Sequence, residues 1–292
     1  METDVLIIGC GPAGLQAAIH SSRKKVRTVV VGKTSNSAMH GTEIENYLGA
    51  VADGDRILAN AVEQAGSFGA ELISQNVISA RREGERFVFV VDDGTEIFSK
   101  AVIVATGISR KKLGIPGEKE LYGKGVSYCA MCDCNFYNGR RVVLVGNESE
   151  AAVSAALMTS YASETSWVAW DLTANEAVVK RAADAGVRMF SSKPVSIEGD
   201  GKVQSLRLED GTEIPTDGVF IELGAKSAAD IAMDIGVMPQ MDFTIKVDAE
   251  CKTEVPGVFA CGDITGKPWQ VAKAVGQGCI AGINAADFVK GN

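Results

Sequence analysis

The sequence predicts an α/β fold of two doubly wound units, each with an added β-hairpin layer. Three observations carry that expectation. Short apolar runs closing on glycine occur at Asp4–Ile8 and Arg141–Val145, and each leads into a helical stretch and a second apolar run. Asp-Gly turns flanked by strand-forming residues occur in both halves, at Asp93-Gly94 and Asp210-Gly211. The chain has 292 residues, of which 46% are apolar, enough for two units that each bury a core.

In the first half, Asp4–Ile8 reads as a buried parallel strand, Pro12–Ser22 as a helix, Val26–Val31 as a second strand and roughly Asp55–Gly69 as a second helix. Arg86–Val91 and Glu96–Lys100 form a hairpin around Asp92-Asp93-Gly94-Thr95, and Ala101–Ala105 is a separate buried strand closing on Thr106-Gly107. Pro116-Gly117 marks a linker. The pattern then restarts with strand Arg141–Val145, a helix from about Glu150 to Ser160 and strand Thr165–Trp170. A helix over Ala174–Ala185 and a strand near Val187 follow, then a hairpin of Val203–Leu208 with Glu213–Pro215, then the apolar run Gly218–Gly224. The tail from about Asp242 is too small to fold alone and must pack on one of the units.

Composition excludes several functions. With 29 basic and 37 acidic residues, a net charge of −8 and no basic cluster, the chain suits neither nucleic acid nor an anionic membrane surface. No apolar run approaches the roughly 18 residues of a membrane span. Met1-Glu2-Thr3-Asp4 enters a strand without the layout of a signal peptide, so a cytoplasmic protein is expected. The seven cysteines, at 10, 129, 132, 134, 251, 261 and 279, then point to redox chemistry or metal rather than a disulfide framework.

Gly9-Cys10-Gly11-Pro12-Ala13-Gly14 is a G-x-G-x-x-G between a strand and a helix. The first Gly permits the tight turn, the second lets backbone approach a pyrophosphate, and the third allows close helix–strand packing. Dinucleotide binding is the reading this context favours over a merely structural turn. The acid that ordinarily ends the second strand and binds a ribose is missing, because Val31 is followed by Gly32 and Lys33.

Cys129-Ala130-Met131-Cys132-Asp133 is the second motif. Cysteines at this spacing can close a small disulfide ring, one thiolate attacking a substrate disulfide and the other resolving it, with the Asp133 carboxyl beside them to move protons. The metal alternative has Cys134 as a third ligand but no fourth, since His20 and His40 are remote in sequence, so no metal is expected.

On these residues the sequence resembles the low-molecular-weight thioredoxin reductases. The resemblance spans the chain through Gly9–Gly14, Glu45–Gly49, Ala105–Gly107, Ile115–Glu118, Ser127–Asp133, Gly257–Asp263 and Gln270–Ala272. It implies two Rossmann-like units: an FAD-binding unit of residues 1–113 with 242–292, and a second nucleotide-fold unit of residues 114–241 carrying the Cys-x-x-Cys. It further implies Cys129 and Cys132 as the redox pair and Asp133 as general acid. Gly9, Gly11, Pro12, Ala13 and Gly14 would hold FAD, with Asn46, Thr106 and Gly107 lining the flavin, Gly262 and Asp263 at the ribityl chain, and Gln270, Val271 and Ala272 at the ring edge. A thioredoxin-like partner, homodimerisation and a rotation between units come with the family. Two departures stand out: the Gly-Gly-Gln stretch usual after the second strand is absent between Gly32 and Gly41, and Cys134 replaces a small residue.

The second unit argues against NADPH. Its glycine loop reads Gly146-Asn147-Glu148-Ser149-Glu150-Ala151, placing Glu148 where a glycine would admit a pyrophosphate, and like charges at such range repel. Trp170-Asp171-Leu172-Thr173-Ala174-Asn175-Glu176 supplies no cation for a 2′-phosphate before Lys180. The plain alternative is a helix whose dipole is met by its own acids. Together with Ser127–Asp133 and Gln270–Gly276, this loop resembles the pyridine-nucleotide-independent branch of the family. The expected electron donor is therefore reduced 8-hydroxy-5-deazaflavin, with ferredoxin as the first alternative and an NADPH-dependent reductase or an oxygen-using dithiol oxidase behind it.

Overall fold

The computed structural model describes residues 1–107, 112–128, 130–223, 228–240 and 242–291; for residues 131, 132, 228 and 229 the backbone alone is described. The chain divides into two compact units, Met1–Ser109 with Ser227–Asn292, and Arg110–Lys226.

The first unit begins β1 (Glu2–Ile8), α1 (Pro12–Arg23), β2 (Thr28–Val31), then a two-stranded antiparallel ribbon of β3 (Glu43–Tyr47) and β4 (Ala50–Asp53). It continues α2 (Gly54–Ser67), β5 (Glu71–Ile73), β6 (Val77–Glu83), β7 (Arg86–Val91) and β8 (Glu96–Val104). Its sheet runs β5-β2-β1-β8-β7-β6. The pairs among β5, β2, β1 and β8 are parallel, and the β6–β7 and β7–β8 pairs antiparallel.

The sequence reading cuts β8 in two at Lys100; in the structure it is one strand of nine residues. Its first half pairs with β7, Phe87 opposite Ser99, while β1 pairs along nearly its whole length, from Glu2–Phe98 to Ile8–Val104. That shared partner is what joins the hairpin layer to the parallel sheet.

Alternation along β1 sends Val5 and Ile7 to one face and Leu6 and Ile8 to the other. Both faces are covered, which is why these strands read as unbroken apolar runs.

The second unit contains β9 (Val126–Ser127), α3 (Ala130–Asp133), β10 (Arg141–Val145), α4 (Ser149–Met158), β11 (Glu164–Val168) and α5 (Glu176–Asp184). Then come β12 (Arg188–Phe190), β13 (Pro194–Glu198), β14 (Ser205–Leu208), β15 (Glu213–Pro215) and β16 (Gly218–Ile221). The five-stranded sheet β12-β11-β10-β16-β9 is parallel throughout. On one face Leu144, Trp167 and Phe220 pack with Ala151, Ala155 and Met158 of α4. On the other, Val143, Val145 and Val219 meet Ile197, Leu206 and Ile214 of the antiparallel layer β13-β14-β15. Pro116-Gly117 is no free linker: the Pro116 carbonyl accepts the Ile197 amide at 2.9 Å, and a Cβ on Gly117 would lie 1.9 Å from the Ile197 carbonyl oxygen.

The chain then returns to the first unit as α6 (Ala228–Asp234), β17 (Val258–Ala260) and α7 (Val271–Lys290). The sequence reading places this return at residue 242. In the structure it falls before α6, because Ile231 and Ile235 pack in the first unit's core and Asp234 Oδ2 accepts the Ala80 amide of β6 at 3.1 Å. β17 pairs in parallel with the second half of β8. α7 lies close on α1, where Cβ atoms on Gly278 and Gly282 would fall 2.2 and 2.4 Å from the carbonyl oxygens of Ala13 and Ala17. Among the described residues no helix is long and apolar enough to cross a membrane.

Candidate active site

Three loops of the first unit meet at the C-terminal edge of its sheet. Gly9 ends β1 at φ +116°, and a Cβ there would sit 2.3 Å from the Ala105 carbonyl oxygen, just before Thr106. Gly14 closes the turn from inside, its Cβ position lying 1.9 Å from the Gly9 oxygen. Gly11 differs: its added Cβ would meet nothing nearer than Ser37 Oγ at 3.4 Å. The middle glycine is thus spared by the protein's own packing and leaves room at the helix start. Gly11 is the N-cap of α1 and Pro12 its first residue; no side chain caps the helix, and no acid lies in its first turn. Such an end offers amide donors and partial positive charge to an anion.

Gly262, at φ +82°, brings the loop after β17 against the same helix start, with its Cβ position 2.8 Å from Ala13 Cβ. Among the described residues, Asp263 has a buried Oδ1 with no hydrogen-bond partner, and the buried Oγ1 of Thr106 is likewise unpartnered. Orphaned polar atoms of this kind call for a ligand. Burial pushes the Asp263 carboxyl above its ordinary value, and the charge of Lys273 draws it partly back. Gly107 adopts φ +68°, and among the described residues nothing lies within 4 Å of its Cβ position. Gln270 is the N-cap residue of α7, and its Oε1 accepts from Asn46 Nδ2 at 2.8 Å, joining two predicted residues 224 positions apart. Val271 and Ala272 form the first turn of α7, half-buried and exposed respectively. The cradle for an extended dinucleotide is therefore present, from a glycine turn to paired amides beyond it, and FAD fits its donor set.

Two residues here escape the sequence reading. Lys273 Nζ donates to the Gly262 carbonyl at 2.9 Å and to Thr265 Oγ1 at 3.0 Å; Gln277 Oε1 accepts from the Gly262 amide at 3.0 Å and from Thr265 Oγ1 at 2.8 Å. Positions 273 and 277 lie four apart on one face of α7, and only knowing what that face meets would reveal them.

The second unit carries the cysteine motif. Cys129 lies outside the described residues, and of Cys132 the structure gives only its backbone, on α3. Residues next to them in the sequence are described. Ser127 Oγ donates to Asp133 Oδ2 at 2.7 Å, fixing the predicted proton carrier across the motif. Glu118, buried, accepts from the amides of Leu113 and Gly114, the latter at 2.6 Å, and from the Tyr128 hydroxyl at 2.8 Å. Cys134 is buried and hydrogen-bonded to Tyr161, whose phenol is pushed up as a result. Burial also raises the thiols of Cys10 and Cys251 to about 11 and that of Cys261 higher still, so none is a ready thiolate at neutral pH.

At the sheet's C-terminal edge, where the strand order reverses between β10 and β16, a doubly wound unit ordinarily takes its nucleotide. Here the loop after β10 is bonded to the loop after β11, on the other side of β10 from β16. Asn147 Oδ1 accepts the amides of Trp170 and Asp171 at 3.0 and 3.3 Å, its carbonyl accepts the Thr173 amide at 2.8 Å, and Ser149 Oγ accepts the Asn175 amide at 3.0 Å. Glu148 is the N-cap residue of α4, and Glu150 is buried in its first turn.

The chain matches the model of the pyridine nucleotide-disulphide oxidoreductase family over residues 3–278. It is 35% identical to the thioredoxin reductase of Listeria innocua, covering 98% of this chain and 94% of that one, and 35% identical to that of Bacillus subtilis, covering 98% and 95%. Among solved structures it resembles the atypical thioredoxin reductase TRi from Desulfovibrio vulgaris Hildenborough, at 34% identity and a TM-score of 0.80 over 99% of both chains. It also resembles a ferredoxin-flavin thioredoxin reductase from Clostridium acetobutylicum, at 30% identity and a TM-score of 0.67 over 100% of this chain and 99% of that one. The chain belongs to the pyridine nucleotide-disulphide oxidoreductases, within the thioredoxin reductases. It is an oxidoreductase acting on a disulfide.

Proposed function

We propose that this protein is an FAD-dependent reductase that passes two electrons from a donor other than NADPH, through Cys129 and Cys132, to the disulfide of a thioredoxin-like protein. The observation that carries the choice of donor is the Asn147 contact. Loops 146–150 and 170–175, which would take the pyrophosphate and the 2′-phosphate of NADPH, hydrogen-bond directly to each other, with Glu148 and Glu150 at the helix start. Reduced 8-hydroxy-5-deazaflavin, a two-electron hydride donor, is the first reading. Ferredoxin is the second, favoured by the similarity to the Clostridium acetobutylicum enzyme.

FAD, when bound, supplies a two-electron store between donor and disulfide. Gly9, Gly11 and the open start of α1 would hold its pyrophosphate; Thr106, Gly107, Gly262 and Asp263 would take its flavin half, and Asn46 with Gln270–Ala272 would line the ring edge. Two electrons and two protons convert the Cys129–Cys132 disulfide to two thiols. One thiolate then attacks the partner disulfide, the other resolves the mixed disulfide, and the partner leaves as a dithiol. Asp133, steadied by Ser127, moves the proton at the cysteine sulfurs. A homodimer and a cytoplasmic setting complete the reading, the first checked by light scattering.

The test is anaerobic mixing of the yellow protein with reduced deazaflavin, reduced ferredoxin and NADPH in turn, followed by visible absorbance. Rapid bleaching by deazaflavin supports the first reading and by ferredoxin the second. Rapid bleaching by NADPH overturns both.

A further inference from the structure

Glu222 is a carboxylate without a part in the chemistry above. It follows β16 directly, interrupts the apolar run Gly218–Leu223 and is only 6% exposed. Its amide donates to the Val145 carbonyl at 2.8 Å, which fixes it at the C-terminal end of the sheet. From there its Oε1 accepts the backbone amide of Ala130 at 3.0 Å. Ala130 is the second residue of Cys129-Ala130-Met131-Cys132. The meeting is built into the register, because β9 pairs in parallel with β16, Ser127 opposite Phe220, and the chain leaving β9 crosses the end of β16.

A buried carboxylate is costly to desolvate, and an apolar side chain would continue the run of β16 at no such cost. Ionised, as its acceptance of the Ala130 amide favours, the acid places negative charge beside the motif. Backbone amides at the start of a Cys-x-x-Cys helix ordinarily favour the thiolate. A carboxylate accepting one of those amides works the other way, since its charge disfavours a second anion nearby.

We propose that Glu222 is a positioning residue that withholds thiolate character from the reduced Cys129–Cys132 pair and so makes the pair more strongly reducing toward its partner disulfide. This rests on the reading of that pair as the redox centre. The redox direction follows from linkage: stabilising the reduced form as thiolate makes a disulfide more oxidising, and withdrawing that stabilisation makes it more reducing.

The test compares the full-length flavin-loaded protein with Glu222→Gln, which keeps an acceptor for the Ala130 amide and removes the charge. Iodoacetamide labelling of the reduced proteins is followed against pH by peptide mass spectrometry. The Glu222→Gln labelling midpoint is expected about one pH unit lower. At alkaline pH, above both midpoints, its dithiol–disulfide equilibrium is expected to shift about tenfold toward dithiol, or about 30 mV. A merely structural Glu222 predicts a Gln variant with the wild-type midpoint, and that result overturns the inference. Should Glu222→Gln fail to fold, Glu222→Met, which also removes the charge, gives the same reading. Failure of the wild-type pair to form a disulfide under mild oxidation overturns the redox reading and this inference together; disulfide formation with an unmoved midpoint overturns the inference alone.

Discussion

The Ser127 hydroxyl donates to Oδ2 of Asp133 at 2.7 Å, so the residue two places before the first cysteine of the motif holds the carboxylate one place after the second. The bond leaves Asp133 Oδ1 to exchange protons. Asp133→Asn is expected to slow reduction of the partner disulfide about 100-fold, in the range for a lost general acid, while flavin bleaching by the donor is unchanged. Ser127→Ala leaves the acid in place but unsteadied, with a loss of a few-fold. Stopped-flow traces of the two half-reactions separate these outcomes; a D133N enzyme with full turnover removes Asp133 from the proton path.

The three glycines of the first loop separate packing from binding. Gly14→Ala forces a methyl to within 1.9 Å of the Gly9 oxygen and is expected to cost about 1–3 kcal/mol in urea unfolding. Gly11→Ala meets only Ser37 and costs the cofactor-free chain little, yet it fills the approach to the pyrophosphate. Flavin retained after dialysis is expected to drop at least tenfold in G11A. Full retention would place the pyrophosphate elsewhere.

Asp263 gives a pH signature. Burial raises its carboxyl above the ordinary 3.8, more than Lys273 offsets, so the folded cofactor-free chain holds this proton more tightly than the unfolded chain. Its contribution to stability therefore falls as pH rises from 3.8 through the raised value, and at pH 7 the chain carries the full penalty. Cofactor-free Asp263→Asn is expected to be more stable than wild type at pH 7 and to converge with it in acid below 3.8. Urea titrations across that range decide the matter, equal stability at pH 7 being the adverse result.

Asn147 ties two loops by its side-chain oxygen. Asn147→Ala leaves the amides of Trp170 and Asp171 without that acceptor, at a cost of about 1–3 kcal/mol where they stay buried. Hydrogen exchange at those two amides is expected to accelerate at least tenfold while the core strand Val142–Val145 keeps its protection. Unchanged exchange would mean that the loops are held by Thr173 and Ser149 alone.

The legible parts of this fold are local. The runs at β1 and β10, the glycine turn at 9–14 and the Asp-Gly turns announce themselves within a few residues, because the backbone conformation and burial that they need are set by immediate neighbours. What escapes is set at a distance. β8 reads as two strands because Lys100 interrupts its apolar pattern, and only pairing with β1 shows it to be one. β6 and β13 escape because their outer residues face solvent and carry no apolar alternation. The return to the first unit is misplaced by fourteen or so residues since nothing in residues 228–240 says which core Ile231 and Ile235 enter. In the site the structure pairs Asn46 with Gln270 and sets Gly9 against Ala105 and Gly262 against Ala13. Lys273, Gln277, Asn147 and Glu222 do not show in the sequence, because each matters through a partner remote along the chain.

The contact of Gly278 and Gly282 with the backbone of α1 sets an order of assembly. Residues 110–226 form a contiguous unit that can fold as soon as it leaves the ribosome. The first unit stays without β17 and α7 until residues 258–290 have been synthesised, so its glycine turn meets its helical partner only after residues 110–226 have been made.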